Sequence, residues 1–372
     1  MNGQKINNEP KELRILIAPL DWGLGHATRC IPIIYALQKA GAALFLACDG
    51  ATENLLKKEF PTFRFLHLKG YQVQYARRKQ LFLWRLFAQL PRIRRTIRYE
   101  QRWLQKVVQE HEIDGVISDN RFGLYHGQIP CVYITHQLQF KTGSTWLNSF
   151  AQKIHYKFIN RFSECWVPDA AGEVNLAGRL SHPDVMPKIP VRYLGNLSRF
   201  TKTESLKTVT LLVILSGPEP QRSIFETLII SQLQDFDGKV VLVRGLPSVQ
   251  SVPEVASHIH VVNHLTANEL CKLALSSEMV LARAGYSTIM DLAQLHQKAI
   301  LVPTPSQAEQ EYLACYLGQL GLFYTCNQQK FNLPDALKKA IDFYSLKQAW
   351  TFQVFHEDIV IEWLQTVRRT KA

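Results

Sequence analysis

Residues 279–312 read MVLARAGYSTIMDLAQLHQKAILVPTPSQAEQEY and contain two successive strand-to-helix connections. The apolar run Met279–Ala282 predicts a strand, and Gly285 follows it at the start of a predicted helix. A second apolar run, Ala299–Val302, leads through a proline-containing loop to another helix that opens with polar side chains. Strands that alternate with helices in this way indicate βαβ units and a parallel sheet with both faces covered.

The same alternation continues on both sides of this stretch. Gly195–Lys207 is polar and lacks apolar periodicity, so it predicts a linker. A chain of 372 residues exceeds the roughly 250–300 residues that one core serves, and two domains are therefore expected. We predict doubly wound α/β domains at 1–196 and 207–345, and a C-terminal helix in 346–372 that crosses back to the first domain. The predicted strands are Leu13–Ala18, Ala43–Ala47, Phe63–Leu66, Gly115–Ser118 and Cys131–Thr135 in the first domain, and Thr208–Leu215, Lys239–Arg244, Ile259–Val262, Met279–Ala282, Ala299–Val302 and Leu322–Thr325 in the second.

Composition indicates a globular protein in a reducing compartment. The chain is 47% hydrophobic and 20% charged, which is ample for packed cores. Its seven cysteines form no CxxC pair and no Cys/His cluster with zinc-like spacing, so we expect buried free thiols and no metal. No signal peptide is recognisable, and no run approaches the ~20 apolar residues that span a bilayer. We expect a cytoplasmic protein.

Positive charge is concentrated in one segment. The chain carries 43 Lys and Arg residues against 31 Asp and Glu, a formal net charge of +12. Residues 77–106 supply nine of these net charges, because they contain ten basic side chains and one acidic side chain. We refer to residues 77–106 as the basic segment.

The basic segment also contains aromatic residues such as Trp84, Phe87 and Trp103, which is typical of a helix at a membrane interface. We predict that it binds an anionic membrane surface and that Pro91 breaks it into two helices. A helix packed on the domain with a solvated basic face is one alternative, and a nucleic-acid surface is another. We expect no nucleic-acid partner, because no recognisable DNA- or RNA-binding motif accompanies the segment.

A glycine turn follows the first predicted strand. Gly23, Gly25 and His26 stand where this strand meets a helix, and Arg29 follows one turn later. Glycines at such a turn let the backbone approach a ligand, and the helix N-terminus offers unpaired N–H groups to an anion. A histidine there suits a site that needs a base near neutral pH. A plain tight turn is the alternative.

A second turn, Ser216–Ser223, follows the strand Thr208–Leu215. Ser216 and Gly217 would leave the edge of the sheet and form a phosphate-sized cradle of N–H groups, to which Arg222 would add positive charge. A proline-containing connection with an ordinary helix cap is the alternative.

The stretch at 279–312 provides the most informative candidates. In an open α/β sheet ligands bind at the carboxyl ends of the strands, where both of its loops would lie. Asp291 can accept hydrogen bonds from two sugar hydroxyls, and Gln310 and Glu311 can bind others. The alternative is that these side chains are solvated positions on two helices and bind no ligand.

These residues resemble a known family. Arg283-Ala284-Gly285, with Thr288 and Asp291 at fixed spacing, the Val-Pro-Thr-Pro loop, and Gln310 look like the nucleotide-sugar motif of glycosyltransferase family 28. The resemblance extends from the N-terminal Gly-x-Gly-His turn through the Ser-Gly loop to this motif. It implies a GT-B architecture, in which two Rossmann-like domains face a central cleft and a C-terminal helix returns to the first domain.

The resemblance also implies roles for single residues. It places Asp291 at the donor ribose, Gln310 and Glu311 at the donor sugar, and His26 near the diphosphate and acceptor. The implied donor-binding set is Ser216, Gly217, Arg222, His264, Arg283, Gly285, Ser287, Thr288, Asp291, Gln310 and Glu311. The implied acceptor and phosphate loop contains Gly23, Gly25, Arg29, Asn120 and Gln137.

Two further pairs of polar residues follow neighbouring predicted strands. In the GT-B fold that the resemblance implies, both pairs would lie at the edge that faces the cleft. Asp119 and Asn120 follow one strand, and His136 and Gln137 follow the next. His26, His136 and Asp119 are therefore the candidates for the catalytic base, which takes a proton from the acceptor. A satisfied polar cluster is the alternative.

The expected function is that of an inverting hexosyltransferase. It would move a sugar from a UDP-sugar or another nucleotide diphosphate sugar to an acceptor hydroxyl, with no metal and with no cofactor besides this co-substrate. The acceptor would be lipid-linked or a glycan, at the inner face of the plasma membrane. A UDP-sugar epimerase on the same fold and a non-catalytic peripheral membrane or nucleic-acid binding protein remain alternatives.

Overall fold

The computed structural model describes residues 12–21, 24–71, 82–139, 145–247, 249–345 and 352–371, and of residues 82–90 and 145–147 it describes the backbone alone. Helices and strands alternate along these residues and form two separate parallel sheets. The α/β class and the two doubly wound sheets predicted from the alternation are thus confirmed.

Each sheet is entirely parallel over the described residues. The first has the order β3-β2-β1-β4-β5-β6-β7 and contains β1 (Arg14–Pro19), β2 (Ala43–Cys48), β3 (Arg64–His67), β4 (Gly115–Asp119), β5 (Cys131–Ile134), β6 (Glu164–Val167) and β7 (Val191–Tyr193). The second has the order β10-β9-β8-β11-β12-β13 and contains β8 (Val209–Ile214), β9 (Val240–Val243), β10 (Ile259–Val262), β11 (Ser277–Ala282), β12 (Ala299–Leu301) and β13 (Tyr324–Thr325).

Helices connect the strands and cover the faces of the sheets. They are α1 (Leu24–Lys39), α2 (Gly50–Glu59), α3 (Phe82–His111), α4 (Thr145–Ile159), α5 (Gln221–Leu233), α6 (Ala267–Leu275), α7 (Tyr286–Leu295), α8 (Ala308–Gln319), α9 (Leu333–Ser345) and α10 (Glu357–Lys371). Because both faces are covered, the central strands β1, β4 and β11 are almost wholly buried.

The strand order fixes where a ligand can bind. The chain reverses its direction of winding between β1 and β4 in the first sheet, and between β8 and β11 in the second. The crevice at such a switch point, beyond the carboxyl ends of the strands, is the usual ligand site of an open α/β sheet. Asp119 lies there, since it pairs in register with Pro19 at the ends of β4 and β1.

Two strands were not predicted from the sequence. Glu164–Val167 and Val191–Tyr193 form β6 and β7 at one edge of the first sheet. Both are short and carry a charged residue, so they lack the continuous apolar run that marks the central strands. The predicted strand Leu322–Thr325 is shorter in the structure, because only Tyr324 and Thr325 pair with β12.

The last helix returns to the first sheet, as expected. α10 packs on α1, and Trp363 meets Trp166 edge to face with 5.7 Å between the ring centroids. Gly115 gives the indole room, because a Cβ at that position would lie 2.8 Å from Trp363. The strands of the two sheets fall within 1–196 and 207–345, and the exact domain boundaries stay predictions.

The predicted break at Pro91 is wrong, because α3 runs without interruption from Phe82 to His111. A proline removes one backbone hydrogen bond, and tertiary contacts offset that loss here. Beyond Pro91 the helix buries Ile97, Leu104 and Val107 against the first domain.

The outer face of α3 is basic. Arg94, Arg95, Arg98 and Arg102 are exposed, whereas Glu100 is fully buried. From residue 91 onward the basic segment is therefore an amphipathic helix that packs on the first domain and exposes its basic face, and membrane binding by that face stays a prediction. Residues 77–81 lie outside the described residues. None of the helices described is both long enough and apolar enough to cross a bilayer.

The cysteines are free thiols, and most of them are buried. Cys30, Cys48, Cys131, Cys165 and Cys271 are buried. Cys315 is exposed and Cys326 is half-buried, so the expectation of burial does not extend to these two positions.

Candidate functional site

The two domains meet through loops at the carboxyl ends of their central strands. Asp119 ends β4 and His136 follows β5, while Tyr286 opens α7 after β11 and Glu309 lies in the first turn of α8 after β12. These side chains converge on one cluster, because neighbouring parallel strands end at the same edge of a sheet.

His26 and Asp119 form the central pair of this cluster. His26 Nδ1 lies 3.1 Å from Asp119 Oδ1. Arg29, one helical turn beyond His26, donates from Nε to Asp119 Oδ2 at 2.6 Å and from Nη2 to Oδ1. The Asp119 side chain is fully buried, whereas 16% of the His26 side chain is exposed. Within the pair, only the imidazole is therefore accessible to a molecule in the cleft.

Burial and neighbouring charges decide the protonation of the pair. Burial alone would raise the pKa of Asp119, but the charges of Arg29 and His26 and the hydrogen bonds from them hold that pKa below its usual range. Burial lowers the pKa of His26; Asp119 acts against this, and the charge of Arg29 adds to it. Asp119 is thus ionised and His26 neutral at pH 7. A neutral imidazole held by a carboxylate is the arrangement of a general base.

His26 has two competing partners at the same nitrogen. Its Nδ1 lies 3.1 Å from Asp119 Oδ1 and 2.9 Å from Arg29 Nη2. A guanidinium only donates and a carboxylate only accepts, so Nδ1 satisfies one partner or the other. If Nδ1 donates to Asp119, Nε2 keeps its lone pair. If Nδ1 accepts from Arg29, Nε2 carries the hydrogen and cannot take up a proton.

His136 links the two domains. Arg29 Nη1 lies 3.0 Å from its Nδ1, which must accept because the guanidinium donates. Its Nε2 then carries the hydrogen and donates to Glu309 Oε1, 3.0 Å away in the second domain. The ring also stacks on Tyr286, with centroids 4.1 Å apart and planes 8° from parallel. Because both nitrogens are engaged, His136 would have to break one of these contacts to act as a base.

Glu309 was not selected from the sequence. Burial would raise the pKa of its carboxylate, but His136 lowers it below the usual range. It directly precedes Gln310 in α8, so its position at the opening of a helix after a cleft strand is the signal that was available.

Two further contacts join the first turn of α7 to the first domain. Ser287 Oγ donates to the backbone oxygen of Gly25 at 2.9 Å, and Tyr286 Oη donates to the backbone oxygen of Pro168 at 2.7 Å. Gly25 is needed for this approach, because a Cβ there would lie 2.7 Å from Ser287 Oγ. The structure thus brings Gly25 and Ser287, which were predicted for different subsites, into direct contact.

Asp291 binds residues that follow the first sheet. Ser198 Oγ donates to its Oδ1 at 2.7 Å, and Arg199 Nε donates to Oδ2 at 3.3 Å. Burial raises the pKa of Asp291, and Arg199 and Ser198 act against that rise. Both partners lie in the segment predicted as a linker, which gave no signal for this contact. A ribose would have to share the carboxylate with them.

Arg283 organises the loops beside the cleft. Its guanidinium lies over the Phe225 ring at 4.0 Å and donates to the backbone oxygens of Val302, Pro303 and Gln221. Burial lowers its pKa to about 10. The predicted donor-binding residue is therefore a buried brace between α5 and the loop after β12.

The residues predicted at the turn after β8 do not lie together: Ser216 and Gly217 are in the turn, whereas Arg222 is in α5. Gly217 is exposed and adopts a φ of 100°, and Ser216 is half-buried beside it. Arg222 is buried in α5 and donates to Glu219 at 2.6 Å and to Glu226 at 3.1 Å. Its charge is therefore already paired with two carboxylates.

Gln310 and Glu311 hold the loop between β12 and α8. Gln310 Oε1 accepts from the Thr304 backbone N–H at 2.8 Å, and Glu311 Oε1 accepts from the Ser306 backbone N–H at 2.9 Å. The side-chain NH₂ of Gln310 keeps its capacity to donate to a ligand hydroxyl.

The other predicted donor residues lie on the second domain. Gly285 precedes α7 as its N-cap, and Thr288 is half-buried in the first turn of that helix. His264, after β10, is half-buried, and burial, followed by the charges of Lys58 and Arg199, lowers its pKa.

The remaining residues of the predicted acceptor loop belong to the first domain. Asn120 has a φ of 55° and accepts from Tyr133 Oη at 3.1 Å, beside Asp119. Gln137 is half-buried and donates its backbone N–H to Thr135 Oγ1 at 3.1 Å. Gly23 lies outside the described residues.

One group of potential metal ligands occurs in the part of the chain that the structure describes. Asp49 follows β2, Glu53 lies in α2 and His67 ends β3, and their ligand atoms lie within 4.8 Å of one another. Glu53 is already paired with Lys57 at 2.6 Å. The group is separate from the His26–Asp119 pair, and absence of a metal from the reaction stays a prediction.

The sequence resembles known glycosyltransferases. Residues 235–354 match the glycosyltransferase family 28 C-terminal domain. A curated relative is the UDP-N-acetylglucosamine--N-acetylmuramyl-(pentapeptide) pyrophosphoryl-undecaprenol N-acetylglucosamine transferase of Prochlorococcus marinus (strain MIT 9515), 25% identical over 171 residues. The match covers 44% of this chain and 46% of the relative, so it spans about half the length of that enzyme.

Solved structures show the fold over almost the whole chain. Spinosyn rhamnosyltransferase SpnG matches with a TM-score of 0.62 at 13% identity, covering 95% of this chain and 100% of its own. Glycosyltransferase SnogD from Streptomyces nogalater matches with a TM-score of 0.60 at 13% identity, covering 96% of this chain and 100% of its own. Residues 235–354 thus match a glycosyltransferase family 28 C-terminal domain, and the chain has the fold of GT-B glycosyltransferases.

Proposed function

We propose that this protein is a glycosyltransferase that moves a sugar from a UDP-sugar to the hydroxyl of an acceptor. The observation that carries the proposal is the His26–Asp119 pair, which stands at the interdomain cleft opposite the first turns of α7 and α8. Such a transfer requires a base for the acceptor and a domain that binds the donor. The first domain carries the His26–Asp119 pair, and the second matches the family 28 domain.

The proposed reaction is one direct displacement. His26 Nε2 takes the proton of the acceptor hydroxyl as its oxygen bonds to the anomeric carbon of the donor sugar. The bond between that carbon and the diphosphate oxygen breaks, and the nucleoside diphosphate leaves with the electron pair. Asp119 keeps Nδ1 as the donor and stabilises the imidazolium that forms. Attack opposite the leaving group inverts the anomeric centre.

The diphosphate would be stabilised mainly by backbone groups. The first turn of α7, at Gly285–Thr288, presents N–H groups at the positive end of a helix dipole, which suits a leaving diphosphate. Gly217 and Ser216 would contribute from the turn after β8. Arg222 is paired with Glu219 and Glu226, so in this proposal it supports the turn and does not bind the diphosphate. The proposed reaction requires no metal.

The acceptor is proposed to be lipid-linked and presented at an anionic membrane surface. The curated relative acts, by its name, on a pyrophosphoryl-undecaprenol substrate. The exposed arginines of α3 project from the same domain that carries His26. Each basic residue near an anionic surface contributes about 1 kcal/mol to binding, so such a face can hold a peripheral enzyme at its substrate.

A panel of UDP-sugars incubated with the protein and a bacterial membrane lipid extract tests this function. Formation of a glycosylated lipid together with UDP is the expected result, and mass spectrometry identifies both the sugar and the lipid. Each UDP-sugar is also incubated without lipid, because isomerisation there would indicate an epimerase.

A thermal-shift series with UDP and the same UDP-sugars measures donor binding without an acceptor. A ligand at 100 times its Kd stabilises the folded state by about 2.7 kcal/mol, which a melting curve resolves. If no nucleotide stabilises the protein and no lipid is glycosylated, the proposal is wrong.

A further inference from the structure

We propose that a cavity between the two domains binds a sugar unit of the acceptor. Its volume is about 400 Å³, within the range of roughly 300–1,000 Å³ that is usual for small-molecule sites. We call it the interdomain cavity, and the argument uses six of its lining residues: Arg179 and His182 of the first domain, and Tyr312, Cys315, Tyr316 and Gln319 of the second. The inference rests on the proposed function and adds the class of substrate, because it makes the acceptor a glycan.

The interdomain cavity forms where a loop of the first domain lies on α8. Tyr312 Oη accepts from the Arg179 backbone N–H at 2.9 Å, and Tyr316 Oη donates to Asn175 Oδ1 at 3.2 Å. Gly178 allows this close approach, because it adopts a φ of 55° and a Cβ at its position would overlap Tyr312 Oη. The contacts that join the domains here therefore also hold the two walls of the cavity in place.

The wall that α8 provides is aromatic. Tyr312 and Tyr316 stack with 5.9 Å between their ring centroids and with planes 6° from parallel. Both side chains are half-buried, so part of each residue stays exposed. The C–H face of a pyranose ring is apolar and packs against aromatic rings, whereas the hydroxyls at its rim need hydrogen bonds. An aromatic wall with polar groups beside it therefore favours a sugar.

His182 provides an acceptor for a ligand hydroxyl. The carboxylate of Asp169 only accepts, so Ser181 Oγ donates its one hydrogen to Asp169 Oδ2 at 2.6 Å. Neutral His182 must then donate from Nδ1 to Ser181 Oγ at 2.8 Å, and its Nε2 keeps a lone pair. This Nε2 is buried and has no hydrogen-bond partner among the residues that the structure describes. A hydroxyl of a sugar in the interdomain cavity would satisfy it.

The charge of the interdomain cavity favours a neutral ligand. Among the described residues that line it, only Arg179 carries a full charge, and its side chain is exposed. Gln319 is also exposed, and its amide can both donate to a hydroxyl and accept from one. A phosphate site would combine several cations or N–H groups aimed at one point. A neutral molecule rich in hydroxyl groups therefore matches this lining better than an anion does.

The interdomain cavity lies beside the candidate catalytic cluster. Glu309, which contacts His136, stands in the first turn of α8, and Tyr312 and Tyr316 follow it on the same helix. At 1.5 Å per residue, the two tyrosines lie roughly 5 and 10 Å further along the helix axis. A sugar in the cavity can therefore belong to the same glycan whose hydroxyl reaches His26.

Cys315 can report whether the interdomain cavity is occupied, because it lines the cavity and is exposed. The full chain is alkylated with N-ethylmaleimide in the presence of methyl glycosides of glucose, galactose, mannose or N-acetylglucosamine, and peptide mass spectrometry measures the rate. At least one glycoside should slow alkylation of Cys315 severalfold and leave that of half-buried Cys326 unchanged. If no glycoside protects Cys315, or if both cysteines slow equally, the inference is wrong. Protection by inorganic phosphate alone would show an anion site and would also overturn it.

His182→Asn tests the contact with the ligand hydroxyl. The asparagine amide can donate to Ser181 Oγ as Nδ1 does, but it has no atom in place of Nε2. The concentration of the protecting glycoside that halves the alkylation rate should rise about three- to tenfold, the equivalent of one hydrogen bond. His260→Asn changes an exposed histidine of β10 and is the matched control, and melting temperatures show that both variants fold. An unchanged concentration in His182→Asn contradicts the assigned role of His182.

Kinetics test whether the sugar belongs to the acceptor. Cys315→Trp places a large ring in the interdomain cavity and should raise the KM for the acceptor about tenfold, with the KM for the UDP-sugar within about twofold. Gln365→Trp adds the same ring at an exposed position of α10 and is the control. An acceptor KM that Cys315→Trp leaves unchanged overturns the inference. Cysteine protection needs no turnover, so protection without glycosyl transfer contradicts the proposed function alone, and transfer without protection contradicts the inference alone.

Discussion

Ser287 donates its hydroxyl hydrogen to the backbone oxygen of Gly25 at 2.9 Å and thereby joins the first turn of α7 to the first turn of α1. A Cβ at position 25 would lie 2.7 Å from Ser287 Oγ. Gly25→Ala should therefore push the two turns apart and lower kcat/KM about tenfold, comparable to the loss of one hydrogen bond. Removing the hydroxyl in Gly25→Ala/Ser287→Ala makes room for the methyl group, so the double variant should recover part of the rate. Equal rates in both variants would contradict a steric cause.

Removal of the base should slow turnover strongly and leave donor binding intact. His26→Asn should reduce kcat by roughly 10²–10⁴-fold, the usual contribution of general base catalysis. Asp119→Asn should have a similar effect, because an amide would no longer hold the tautomer that leaves Nε2 free. The thermal shift with UDP is the control for an intact donor site. Turnover that survives His26→Asn would move the base elsewhere in the cluster.

The pH dependence of kcat/KM should show that His26 must be neutral. Burial and Arg29 lower the pKa of His26 below 6.5, so activity should persist to pH values below 6.5 and fall only as the imidazole becomes protonated. Arg29→Gln removes a charge that lowers this pKa, and the acid limb should then move to higher pH. An acid limb that stays in place in Arg29→Gln would show that another group titrates.

The exposed arginines of α3 should control membrane binding. Arg94→Glu/Arg95→Glu/Arg98→Glu reverses three charges on one face and should weaken binding to vesicles that contain phosphatidylglycerol by several kcal/mol at low salt. Cosedimentation measures the bound fraction, and added salt should lower it because ions screen the attraction. Arg368→Glu/Arg369→Glu, an exposed pair on α10, is the control. Binding that ignores lipid charge would refute the membrane role.

The docking of α10 should be a major source of stability. Trp363 is 1% exposed and packs against Trp166. Trp363→Ala should lower the free energy of unfolding by about 3–5 kcal/mol, the usual effect of removing a buried aromatic ring. Gln365→Ala changes an exposed residue of the same helix and should have little effect in the same urea titration. A small effect of Trp363→Ala would show that α10 contributes little to the first domain.

The fold was predictable because its signal is local. Each central strand is a short apolar run before a turn, and β1, β8 and β11 were located within two residues from that pattern. β6 and β7 lacked the pattern. The break expected at Pro91 failed because the packing of Ile97, Leu104 and Val107 depends on tertiary contacts that a local rule does not include.

The sequence predicted the sheet edge at which the candidate site lies. It did not predict which of the residues there bond to one another. His26, Asp119 and His136 were selected because each follows a strand, and the structure brings all three together. Which residues bond to one another depends on how the two domains approach. Glu309 was not predicted for the same reason, because its contact with His136 joins the two domains. Asp291 shows the same limit, since its partners Ser198 and Arg199 are over 90 positions away in sequence.

The return of α10 has a consequence for how this protein is made. Its first sheet is synthesised from residues 14–193, but Trp166 and Gly115 receive Trp363 only after the strands of the second sheet have also been translated. The nascent first domain leaves the ribosome with part of its apolar surface uncovered, and domains that emerge incomplete are exposed to aggregation. A ribosome stalled before residue 357 should therefore display a chain that chaperones bind more strongly than the finished protein.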